Sequence, residues 1–118
     1  MQYMLAIFAD EKGWAKLSRA QQVQGTAAYS AYTEALVKSG AMVAGERLRP
    51  TSTASTVKVT DGKTKVLDGP YAESKEQLAG YYIIKAKDLD EAIAWAAKCP
   101  GAHNGTMEVR PIWPVSEE

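Results

Sequence analysis

Gln2-Tyr3-Met4-Leu5-Ala6-Ile7-Phe8-Ala9 opens the chain with a run in which nearly every side chain is apolar. Successive residues of a strand point to opposite sides, so Tyr3, Leu5 and Ile7 share one face and Met4, Ala6 and Phe8 the other. A strand apolar on both sides is one that both faces of its sheet must cover, which places it centrally. Residues 79–85, with Tyr81-Tyr82-Ile83-Ile84, have the same two-sided character.

Outward from these strands the pattern changes. Residues 11–26 are polar and mixed, with Trp14 and Leu17 as anchors, and read as a loop with one short helical turn. From 27 to 39, Tyr29, Tyr32 and Leu36, with the small Ala28 and Ala35, repeat at spacings of three and four. Gly40 stands where a left-handed residue closes a helix. Residues 41–48 form a second strand, ended by Pro50, which has no N–H for a ladder. Residues 53–60 are rich in β-branched side chains, and Asp61-Gly62 turns them into residues 63–67 as a tight hairpin. Asp68-Gly69-Pro70-Tyr71 is a second turn signal. Asp88, with Glu91 three residues on, begins a second helix; Leu89, Ala92, Ile93, Ala96 and Ala97 make its apolar stripe, and Pro100-Gly101 stops it. Residues 106–112 form the last strand, with Met107 and Val109 on one face and Glu108 and Arg110 on the other.

Strand, helix, strand, hairpin, strand, helix, strand contains the βαββαβ plan of a ferredoxin-like α+β fold with an inserted β-hairpin. Both helices are expected on one sheet face. The other would expose an apolar patch larger than a monomer tolerates, so the sequence predicts a homodimer in which two sheets face each other as a dimeric α+β barrel around a two-fold axis. At 118 residues the chain is expected to be one domain, 1–118.

Composition narrows the partners. Lys plus Arg and Asp plus Glu number 14 each, so no excess positive charge is available for phosphates or anionic lipid, and neither nucleic acid nor a membrane is expected. No signal segment and no apolar run of about 20 residues occurs, which predicts a cytoplasmic protein. Cys99 is the only cysteine. It allows no intrachain disulfide and reads as a buried thiol rather than a nucleophile.

The chain resembles the YCII-related proteins in their DGPF branch, almost from end to end. The resemblance rests on the opening strand, on Ser39-Gly40 with Gly45-Glu46-Arg47-Leu48-Arg49-Pro50, and on Asp61-Gly62-Lys63 through Asp68-Gly69-Pro70-Tyr71-Ala72-Glu73-Ser74-Lys75-Glu76. It continues in Gln77-Leu78-Ala79-Gly80-Tyr81-Tyr82, Asp88-Leu89-Asp90-Glu91-Ala92 and Glu108-Val109-Arg110-Pro111-Ile112. The motif ends here in Tyr71 rather than Phe, which keeps the ring and adds a hydroxyl. A His and Asp pair has been suspected of acid/base work in other YCII members; the single His103 of this chain does not carry that proposal over. The resemblance implies a homodimeric α+β barrel, and some relatives are fused to, or encoded beside, extracytoplasmic-function sigma factors. It implies no established reaction.

Four residues are candidates for a site. The Asp68 carboxylate suits acid/base work and the Tyr71 hydroxyl suits orienting a ligand at a rigid lip; the alternative is that Asp68 caps the Gly-Pro turn and Tyr71 packs on the core. Glu46 and Arg110 are charges in strands otherwise built for burial, so they are expected to pair or to bind a polar substrate, with Glu108, two residues from Arg110, as the other available partner. Glu73, Lys75 and Glu76 read as a solvated, helix-prone surface, and His103 as a loop histidine. Neither the spacing of a metal site nor a Gly-rich phosphate loop is present, so no cofactor is expected. Two functions fit. One is a small-molecule-binding protein or cofactor-independent enzyme with its pocket in the barrel. The other is a non-catalytic regulatory module acting with a sigma factor.

Overall fold

The computed structural model describes residues 1–117. Its elements run β1 (Gln2–Ala9), α1 (Glu11–Ala15), α2 (Arg19–Ser39), β2 (Met42–Arg47), β3 (Ser55–Thr60), β4 (Lys63–Asp68), β5 (Gln77–Lys85), α3 (Leu89–Lys98), α4 (Gly101–Asn104) and β6 (Thr106–Pro111), with short 3₁₀ turns at Thr51–Thr53 and Val115–Glu117. The main sheet has the order β2-β5-β1-β6 and is antiparallel throughout, while β3 and β4 form a separate two-stranded sheet. This is the expected ferredoxin-like α+β plan with a hairpin inserted between its second and third sheet strands. The two-sided strands, β1 and β5, are the central pair.

Alternation along the strands divides the sheet. Tyr3, Leu5 and Ile7 of β1 and Tyr82 and Ile84 of β5 join Tyr32 and Leu36 of α2 and Ala92, Ala96 and Cys99 of the α3 region in one core. Leu5, Leu36, Ile84 and Cys99 are fully buried, and each large aliphatic side chain taken from water contributes about 1.5–3 kcal/mol. Met107 and Val109 pack against this core from β6. The molecule measures 48 × 46 × 19 Å. Its thin dimension is that of a sheet with one helical layer on it.

The long helix starts earlier than expected. Residues 19–26 are helical, not loop, because Ser18 caps them: its Oγ accepts from the Gln21 N–H at 3.2 Å while the Ser18 N–H donates to Gln21 Oε1 at 2.9 Å, the reciprocal arrangement of a capping box. Gly25 lies inside the helix where the Trp14 ring packs, 3.0 Å from where a Cβ would stand. Gly40, at φ 79°, closes the helix, with its own N–H and that of Ala41 donating to Val37 and Leu36 carbonyls, a Schellman ending. Asp88 caps α3 by accepting from the Glu91 N–H at 2.9 Å. Pro100-Gly101 does end α3, but the chain then takes a further short turn, α4, that carries His103.

The hairpin follows its turn chemistry. Asp61 and Gly62 both have positive φ, 52° and 75°, as a two-residue turn matching the twist of its strands requires. The arm then stands clear of the body. Its principal ties are internal: the Gly69 N–H donates to the Ala54 carbonyl at 2.7 Å, and the Thr56 hydroxyl donates to the Gly69 carbonyl at 2.8 Å.

Candidate functional site

The sheet face away from the helices is the candidate site. Cross-strand partners share a face, and the register sets out rows across all four strands: Ala44, Ile83, Met4 and Arg110 in one, Glu46, Tyr81, Ala6 and Glu108 in the next, with Phe8 opposite Thr106 beyond. The centre of the face is apolar, and its charges stand on the two edge strands. Met4, Phe8, Tyr81 and Ile83 are only half-buried, whereas their alternates on the helix side are in the core.

At one end of this face an open hollow of about 460 Å³ is lined by Phe8, Ser74, Lys75, Glu76 and Thr106. The Thr106 hydroxyl donates to Glu76 Oε1 at 2.6 Å, and Gln77 anchors the preceding segment by donating to the Ser74 carbonyl at 2.7 Å. The stretch 73–76 is therefore not helical; it crosses the end of the face and brings Glu76 to it. Sequence reading took Glu76 for solvated surface and passed over Thr106, since a carboxylate in a polar run and a threonine at a strand start carry no chemical signature alone.

Glu46 and Arg110 do lie on one face, but on opposite edges, three strand spacings or about 14 Å apart, so they do not pair within the chain. Arg110 instead holds Glu108 at 2.9 Å, with side chains 72% and 47% exposed. Asp68 ends β4 on the arm, and its carboxylate takes part in no hydrogen bond or ion pair among the described residues. Gly69 and Thr56 close the Gly-Pro turn without it. Tyr71 is 91% exposed and packs on no core. Both structural alternatives for the pair thus fail in a single chain. His103 is exposed, with Nε2 3.1 Å from the Ala97 carbonyl oxygen.

On the helix side lies a cluster of polar groups inside the core. The Tyr32 hydroxyl donates to the Trp95 carbonyl at 2.7 Å, and the Tyr82 hydroxyl lies 2.7 Å from Thr33 Oγ1. Burial, reinforced by Cys99 and then by Tyr82, raises the phenol pKa values of Tyr29 and Tyr32 well above the ordinary value; burial likewise raises Tyr82 and the Cys99 thiol. A thiol so held is a poor nucleophile, as a structural cysteine should be. Among the described residues no group of three His, Cys, Asp or Glu side chains is placed to hold a metal ion, and no helix is long and apolar enough to cross a membrane.

Comparison with known proteins agrees with this architecture. The profile of the YCII-related domain matches residues 1–116. The chain belongs to the YCII-related family. A relative from Rhizobium meliloti (strain 1021), an uncharacterised protein, is 36% identical over 114 residues, spanning 95% of this chain and 92% of its own. Among solved structures, the 5-chloro-2-hydroxyhydroquinone dehydrochlorinase of Burkholderia phenoliruptrix AC1100, in complex with 2,5-dihydroxybenzoquinone, superposes with a TM-score of 0.55 at 15% identity, covering 97% of this chain and 94% of that one. That likeness is one of fold.

Proposed function

We propose that this YCII-family protein binds a small molecule between the open sheet faces of two copies, as a homodimeric α+β barrel, and acts on it without a cofactor. The observation that carries the reading is the open face itself: an apolar centre of Met4, Phe8, Tyr81 and Ile83, charged edges at Glu46 and Arg110, and a hollow at one end whose volume falls in the range of small-molecule sites. An apolar floor with a few polar groups at its margin suits a flat, partly polar ligand. The superposed dehydrochlorinase, which holds a hydroxylated quinone, makes that class the first to try. The Tyr81 hydroxyl and the Glu46 carboxylate, in adjacent strands on one row, are the proposed proton-handling pair, and Arg110 the proposed anion contact. The Glu46–Arg110 pairing denied within one chain is available between two.

Titration of isotope-labelled protein with 2,5-dihydroxybenzoquinone and a panel of hydroxylated aromatic acids, followed by amide chemical shifts, tests this. Shifts concentrated on β1, β5 and β6 near Ala6, Tyr81 and Glu108 are expected. Saturable shifts confined to the helical side would place the site elsewhere and reject the reading.

A further inference from the structure

The β3-β4 arm has two unlike faces. Its register pairs Val57 with Val66, Val59 with Thr64 and Ser55 with Asp68 on one side, and Lys58 with Lys65, Thr60 with Lys63 and Thr56 with Leu67 on the other. One side is a valine surface with Asp68 at its root; the other is lysine-rich and suited to water. Yet Val57, Val59 and Val66 are 60%, 62% and 59% exposed. A lone two-stranded hairpin is marginal in water, and side chains patterned for a core but left in solvent mark an interface.

We infer that each arm lays its valine face on a second copy of this chain and closes that copy's open-face site, so that Asp68 and Tyr71 serve the partner's pocket rather than their own. The inference rests on the dimeric reading proposed above. Interface area selects a second copy as the occupant. Four strands of about six residues present a face of roughly 20 × 20 Å, so two stacked faces bury only about 800 Å² in total, the size of a packing contact rather than of a stable dimer. Two exchanged arms, each about 20 Å long and roughly 10 Å wide and covering an equal area of the other copy, bring the interface to about 1,600 Å², the usual size of a specific complex. The arms are also continuous with the proposed interface: β3 follows β2 and β4 leads into β5, the two strands at one side of the sheet. Finally, it gives the Asp68 carboxylate, without a hydrogen-bond or ion-pair partner among the described residues, and the exposed Tyr71 ring a surface to act on.

The test combines sedimentation with amide hydrogen exchange on the full chain at high and low concentration, for the wild type and for a variant with Val57→Ser, Val59→Ser and Val66→Ser. These positions lie outside the core, so the body should fold normally by circular dichroism. The inference expects β3 and β4 amides protected in the dimer and exposed on dilution, and self-association weakened about tenfold or more in the variant. A dimer of undiminished affinity whose arm exchanges freely overturns the arm's role while leaving the facing sheets intact. An arm equally protected in a monomer shows it folded onto its own chain and overturns the inference too. A wild type that stays monomeric throughout removes the dimeric reading itself.

Discussion

Tyr81 and Tyr82 stand side by side in β5 and do opposite work. Tyr82 is buried among Tyr32, Leu5 and Ile84, with its ring edge-on to Tyr32 at 5.3 Å between centroids, whereas Tyr81 is half-buried on the open face. Tyr82→Ala should lower stability by about 3–5 kcal/mol, the usual loss for a large aromatic removed from a core. Tyr81→Ala should cost well under half of that and instead weaken ligand binding. Urea denaturation and the ligand titration, run on both variants, measure the two effects. That both tyrosines were wanted on some buried surface was readable in the sequence; which of them faced the helices was not, since alternation defines two sides without naming them. Glu46 and Arg110 were legible as charges out of keeping with their strands, but their pairing depended on which strands are neighbours. The observed order, with β2 and β6 at the two edges, makes Glu108 the partner of Arg110. An exposed pair of that kind contributes at most about 1 kcal/mol, too little to act as a brace for the sheet.

Among the elements, those with strong periodicity or turn chemistry were read correctly: the central strands, the Asp61-Gly62 hairpin, the Gly40 ending and the Asp88 cap. The first half of α2 was missed because its helical signal lies in one capping box and not in an apolar stripe; Gln21, Gln22, Gln24 and Gly25 give it no amphipathic face. That single cap should therefore matter. Ser18→Ala is expected to lower stability by about 1 kcal/mol and to speed amide exchange over residues 19–24 ahead of the rest of the helix. The arm was legible as a hairpin but not as a projecting one, because a two-residue turn specifies local twist and says nothing of what the strands rest on. Asp68 and Tyr71 were singled out by motif alone, and their placement at the arm's root, away from their own core, is a fact of tertiary structure.

At the scale of the whole molecule, a sheet with helices on one side and apolar residues on both is half a protein in energetic terms. Its covered half carries a pH signature. Tyr29, Tyr32, Tyr82 and Cys99 have their pKa values raised above the ordinary 10.0 for a phenol and 9.0 for a thiol, mainly by burial. The unfolded chain therefore loses these protons at lower pH than the folded one, so their stabilising effect is complete below about pH 9 and is lost as pH rises through and beyond 10, at up to about 1.4 kcal/mol per pH unit for each group. Denaturation midpoints measured from pH 7 to 11 should be flat with respect to these groups at first and then fall steeply. The uncovered half carries the central claim, that the open face is buried against a second copy around a binding site. Sedimentation velocity of the wild type beside Ile83→Lys, which sets a charge in the middle of that face and leaves the helical side untouched, tests it most directly. The account predicts a wild type of twice the chain mass and a variant that sediments as a folded monomer; a variant as dimeric as the wild type, or a wild type that is itself a stable monomer, would contradict it.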